Sequence, residues 1–184
     1  MFAQHLRHTN ILPYDEQLQM LLKHGFLLWD IVASCSRPGS LDQDIREEVP
    51  NDIPKLCRQY PSIKRIVLAN GGSAKGFFTK HFGDWMQECT NDGSIIFQAG
   101  KDSVSQTNFE KYCQKLQSKK KPTSMNGGPS ILVSSSTTRS ITLISAISVS
   151  PAAARYTYEE KLDFWETNVY KPGLQDYKDQ QPNE

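Results

Sequence analysis

Three short stretches of this 184-residue sequence bring together residue types that can do chemistry. Asp30 follows Trp29 inside the otherwise apolar run Phe26-Leu27-Leu28-Trp29-Asp30-Ile31-Val32-Ala33. A carboxylate so placed must find a partner or have its pKa raised. It either meets a substrate or base at a strand end, or accepts backbone N–H bonds from the loop over residues 34–40. Arg37, with Pro38-Gly39-Ser40, can hold a phosphate or only an acid such as Asp42. Asn70-Gly71-Gly72-Ser73 sets small residues and free backbone N–H groups at a helix start, which suits a phosphate but equally describes an ordinary turn with an Asn cap. Ser148-Val149-Ser150-Pro151-Ala152-Ala153-Ala154 puts two hydroxyls before a proline and three alanines. Small side chains there either let the backbone approach a narrow partner or pack a tight strand-to-helix connection.

Other chemistries are excluded or disfavoured. Neither G-x-x-x-x-G-K-[ST] nor G-x-G-x-x-G occurs. No Ser–His–Asp or Cys–His arrangement is persuasive, and His81, among Phe78 and Phe82, reads as a core histidine. Cys35, Cys57, Cys89 and Cys113 form no C-x-x-C and no metal spacing with the four histidines, so reduced thiols in an intracellular protein are expected, with no structural zinc and no cofactor. The longest apolar stretches are too short to span a bilayer, and polar residues interrupt any signal-peptide core near the start. The formal net charge is +1. Because residues 159–184 are acidic, the remaining body is mildly basic, which permits phosphate binding without demanding it.

The elements that must position these stretches follow from periodicity. Residues 13–24 predict an amphipathic helix through Tyr14, Leu18, Leu21 and Leu22, stopped by Gly25. Residues 26–33 predict a strand covered on both faces of a parallel sheet. Asn51 is expected to cap a helix carrying Ile53, Leu56, Cys57 and Tyr60, ended by Pro61. Residues 63–69, 94–98 and 140–148 predict further strands. Helices are expected after residues 70–73, around Phe109 to Leu116, and after the capping box Thr157-x-x-Glu160. Lys119-Lys120-Lys121 is either a nuclear address or a solvated helix end. The expected fold class is α/β, three-layer α/β/α with a mostly parallel sheet. Residues 1–170 would form the domain, with a low-complexity insertion at about 118–138 and a flexible acidic tail over 171–184. In such sheets ligands sit beyond the carboxyl ends of the strands, where residues 30–42, 70–73 and 148–154 would emerge.

In order along the chain, these segments resemble the hypoxanthine-DNA glycosylases of the uracil-DNA glycosylase superfamily, near the mismatch-specific thymine/uracil glycosylases. Residues 25–42, GFLLWDIVASCSRPGSLD, resemble that family's G-x-x-L-W-D-V-x-A-S-C-x-R-x-G-S-L-D. Pro50-Asn51-Asp52-Ile53 resembles P-N-D-[FI], and residues 67–74 more loosely I-x-F-N-G-x-x-A. Residues 150–154 with Tyr158 to Leu162 and Trp165 resemble S-P-A-x-A…EEKL…W. The likeness covers about residues 12–82 and 140–168; the lysine- and serine-rich segment between does not match.

The resemblance implies a uracil-DNA-glycosylase-like domain that extrudes a deaminated base, hypoxanthine or uracil, from double-stranded DNA and hydrolyses its N-glycosidic bond. Such a monofunctional enzyme of base excision repair needs donors aimed at the departing base and no metal. Trp29, Asp30 and Asn70 would contact the base or line its pocket. Arg37, Gly71, Ser73, Ser148 and Ser150 would face DNA phosphates, and Pro151 with Ala152 would press into the minor groove. A monomer in the nucleus or cytoplasm is expected. Two departures bear on this: Ile147 and Ala153 stand where the second motif has proline and a polar residue, and the first motif, G-S-x-P-G with a later N-P-R-N-x-F-W, is missing. The expectation is therefore a member lacking its first strand and catalytic motif, poorly stable and weakly active as given. The alternative is a catalytically silent nucleic-acid-binding relative, and a blander one is a small-molecule-binding α/β domain.

Overall fold

The computed structural model describes residues 12–39, 41–69, 71–100, 111–112, 114–115, 118, 138–150 and 153–181. Its centre is a three-stranded parallel sheet of β3 (Arg65–Leu68), β4 (Ile95–Ala99) and β5 (Arg139–Ser145), in the order β3-β5-β4. β5 is central, pairing with β3 in the register Arg65↔Thr142 to Leu68↔Ser145 and with β4 from Ile95↔Arg139 to Ala99↔Leu143. Its side chains alternate between two cores, as the two-residue strand period requires. Ile141 and Leu143 join Leu68, Phe97 and the apolar stripe Phe78, Phe82, Met86 and Cys89 of α3 (Gly71–Asp92). Ile144 and Ala146 meet Phe164, Trp165, Val169 and Tyr170 on the opposite face. Helices on both faces of a parallel sheet make this an α/β fold compatible with three layers.

The second face is covered by a continuous helical arm. α4 (Tyr158–Trp165) opens with the expected capping box: Glu160 N–H donates to Thr157 Oγ1, and Thr157 N–H donates to the Glu160 carboxylate. A π turn over Glu166–Tyr170 follows, and α5 (Lys171–Lys178) continues it. The flexible tail expected over 171–184 is instead helical over Lys171–Lys178. The π turn carries the Lys171 N–H to the Glu166 carbonyl, and Pro172 then sits in the first turn of α5, where its missing donor costs least. Residues 171–181 are thus part of the folded body, while 182–184 lie outside the described residues.

The apolar run of residues 26–33 departs most from expectation. Residues 26–30 form no strand, and β1 (Val32–Ser36) pairs antiparallel with β2 (Arg46–Pro50) in a separate two-stranded ribbon. Leu28 and Trp29 are 64% and 55% exposed. Phe26 packs edge-on to Tyr170, whereas Ile31 packs on the core of the other face. The run therefore passes from one layer to the other instead of joining the sheet. An apolar run shows that a segment seeks burial, but not which surface is left to bury it.

Smaller differences have similar causes. α2 (Ile53–Gln59) is capped by Asp52, whose Oδ1 accepts from Lys55 N–H, not by Asn51. α1 (Tyr14–Lys23) ends as expected at Gly25, which has φ 77°, yet buries none of its residues. Arg139 joins β5 to its surroundings by donating to the Cys57 and Ile63 carbonyls at 2.8 and 2.9 Å. The insertion at about 118–138 lies mostly outside the described residues.

Candidate functional site

All three sheet strands run the same way, so their carboxyl ends share one edge. Two expected site segments leave neighbouring strands there. β3 leads through Ala69 into the first turn of α3, and β5 leads through Ala146 and Ile147 into Ser148. The exits are tied together by Ala146 N–H donating to the Leu68 carbonyl at 3.0 Å. Gly71 and Ser73 open α3, and Ser73 is exposed. A Cβ at Gly72 would meet nothing within 4 Å, so this helix start faces open space. Its first N–H groups have no helical acceptors, as at any helix start. Asn70 lies outside the described residues.

The second turn is tightly held up to Ser150. Ser148 is half-buried and Ser150 exposed. Ser150 N–H donates to Ser148 Oγ at 3.2 Å, and Ala153 N–H returns to the Ser150 carbonyl at 3.1 Å. From beneath, Trp165 Nε1–H donates to the Ile147 carbonyl and Lys161 Nζ to the Ser150 carbonyl, both at 2.9 Å. Pro151 and Ala152 lie outside the described residues. Arg155, exposed just beyond, stands 5.6 Å from the centroid of the Tyr156 ring.

The other expected residues stand differently. Asp30 is at the surface, not inside a strand, and its carboxylate makes no hydrogen bond or ion pair among the described residues. Among the described residues the loop over residues 34–40 donates no backbone N–H to that carboxylate: what bonds is the Asp30 backbone, whose carbonyl accepts from Asn51 Nδ2 at 2.8 Å, while Asn51 N–H donates to the Ile31 carbonyl at 2.9 Å. Asn51 thus fixes the exit of the Trp29-Asp30 segment. Among the described residues no hydrogen bond joins Trp29 or Asp30 to the two turns at the sheet edge. Arg37 is exposed beyond β1, in a loop closed by Asp44, whose carboxylate accepts from Leu41 N–H at 3.3 Å. His81 is not a satisfied core histidine. Its Nε2 is buried without a hydrogen bond, 3.6 Å from Glu48 Oε1. Glu48 also accepts from Lys80, which holds its carboxyl below the usual range.

Two open clefts of ≈ 300 Å³ each flank the second face of the sheet. One lies between Ile147, Tyr156 and α4, the other between Thr142, Ile144 and the π turn; Asn168 borders both, and Trp29 and Asp30 border neither. No group of three or more His, Cys, Asp or Glu able to hold a metal occurs among the described residues, and no helix there is long and apolar enough to cross a membrane.

The sequence reading missed Lys161, Trp165 and Asn51 as organisers of these segments. Only the spacing of Lys161 and Trp165, four residues apart on a predicted helix, signalled a shared face. No known family model, curated protein or solved structure matches this chain.

Proposed function

We propose that this chain is a DNA glycosylase domain that acts on a deaminated base, hypoxanthine or uracil, in double-stranded DNA. The observation that carries the reading is the adjacency of two turns. Ser148 with Ser150, and Gly71 with Ser73, leave neighbouring strands at one edge of the sheet. Hydroxyls and helix-start N–H groups on a shared rim suit consecutive phosphates of one strand. Arg155, exposed five residues after Ser150 in sequence, supplies a cation to the same connection. The chemistry needed is expulsion of a base as an anion from an oxocarbenium-like sugar, which donors and an excluded-water site favour without a metal. In this reading Trp29 and Asp30 meet the extruded base, Asn70 supports its pocket, Arg37 reaches a flanking phosphate, and Pro151-Ala152 enter the groove. The resemblance of residues 25–42 supports the roles of Trp29, Asp30 and Arg37, and that of residues 67–74 and 150–154 the roles of Asn70 and Pro151-Ala152.

The test is release of free base from inosine- or uracil-containing duplexes, with an undamaged duplex as control. Release above the control is expected, reduced at least tenfold in Asp30→Ala. Tight, salt-dependent binding without any abasic product would overturn the catalytic reading.

A second reading, a silent DNA-binding relative, is favoured by one specific observation. Trp29 and Asp30 lie exposed and border neither cleft. This reading expects binding that weakens linearly in log K against log salt, and no product.

A further inference from the structure

We infer that Lys161 and Trp165 are positioning residues that hold the backbone of residues 147–150 in the form that meets a DNA phosphate. The ligand in this statement rests on the proposed function; the grip itself rests on geometry. Lys161 is only 6% exposed and Trp165 only 8%. They lie four residues apart on α4, hence on one face, and each donates to a backbone carbonyl of the turn, Ser150 and Ile147 respectively, at 2.9 Å. Lys161 makes no ion pair among the described residues. A buried ammonium without a carboxylate is costly, and a methionine would fill similar space without that cost. What the lysine adds is the donor to Ser150.

The grip also sets where donors point. None of the described peptide bonds is cis, and in a trans peptide the N–H points opposite to the preceding carbonyl. Turning the Ile147 carbonyl onto Trp165 therefore turns the Ser148 N–H away from α4. Ser150 N–H is meanwhile engaged by Ser148 Oγ. The side of the turn away from the helix thus carries the Ser148 amide, a suitable contact for an anion.

The experiment compares amide hydrogen exchange and duplex binding in the wild-type chain, Lys161→Met, Lys161→Arg and Trp165→Phe. Exchange at the bonded amides of Ser150 and Ala153 should rise about tenfold or more in Lys161→Met and Trp165→Phe, the loss of one hydrogen bond. β5 and α3 should be unchanged, and Lys161→Arg should restore protection. Duplex affinity should fall about tenfold in Lys161→Met with the salt slope unaltered, because a positioning residue releases no counterion. Unchanged exchange in both Lys161→Met and Trp165→Phe would overturn the inference. A slope reduced by about one in Lys161→Met would make Lys161 a phosphate contact and overturn it too. Should Lys161→Met not fold, Trp165→Phe and Lys161→Arg still decide through exchange. If the wild type binds no duplex, the proposed function fails, and exchange alone still decides the grip.

Discussion

Arg65 and Asp176, 111 residues apart, form a two-point pair: Nε–H donates to Oδ2 at 2.5 Å and an Nη2–H donates to Oδ1 at 3.3 Å. Both side chains are about a quarter exposed. The pair anchors α5 to the amino end of β3, and with it the helical arm that covers the second core. It is reinforced by close packing, since a Cβ at Gly25 would fall 2.5 Å from the Tyr177 ring and one at Gly173 would fall 2.8 Å from Phe26.

Asp176→Ala should therefore destabilise the fold by about 1–2 kcal/mol, the range for a charged hydrogen bond in a partly exposed setting. Urea denaturation checks this, and no change would mean that α5 is held by packing alone.

Leu143→Ala should cost more, about 2–5 kcal/mol, because it leaves a cavity in the central strand. Leu143 is fully buried between β3 and β4. Ile96→Ala, on the more exposed side of β4, should change stability by about 0.5 kcal/mol or less. Comparable midpoints for the two variants would contradict the two-core arrangement.

Stability should fall at alkaline pH. Burial pushes the Cys57 and Cys89 thiols above their ordinary 9.0 and the Tyr170 phenol up to about 12 from 10.0. Each group binds its proton more tightly folded than unfolded. The stabilisation is thus complete below the unfolded pKa and is lost as pH rises through the folded one. The melting temperature should hold to about pH 8.5, then decline from about pH 9 for the thiols and pH 10 to 12 for the phenol. Tyr170→Phe should flatten the upper part of that decline; an identical profile would show that the phenol does not contribute.

Trp29→Ala separates a functional from a structural tryptophan. Being 55% exposed, it should change stability by about 0.5 kcal/mol or less, while weakening binding to an inosine-containing duplex about tenfold, as expected when an aromatic stacks on a base. Equal loss of stability and affinity would assign Trp29 to packing instead.

Arg155→Ala should reduce the slope of log affinity against log salt by about one if the arginine neutralises a phosphate. Fluorescence anisotropy across a salt series checks this. An unaltered slope would leave Arg155 to its contact with Tyr156.

Much of the body was legible from local chemistry. The capping box at Thr157 and Glu160, the glycine stop at Gly25, and the strands around residues 65–68, 95–99 and 139–145 each follow from signals a few residues long. Local spacing determines a hydrogen-bonded turn or an amphipathic face regardless of what lies far away. The segment that carries the resemblance was not legible in this way. Leu27, Leu28 and Trp29 read as a buried strand, yet the partners available to them were decided elsewhere: β5 already had β3 and β4 on its two sides, and Val32 to Ser36 found β2. Residues 171–184 likewise read as a flexible tail, but the π turn before Pro172 lets the helix continue through Lys178. Nothing in its own sequence neighbourhood marks Lys161 for burial, and only the fold of the 147–150 turn over α4 makes it a buried donor. The sequence by itself determined which residues prefer to be helix, strand or turn. The tertiary structure alone decided which apolar surfaces remained to be filled and which carbonyls remained to be bonded, because both depend on neighbours that are distant along the chain.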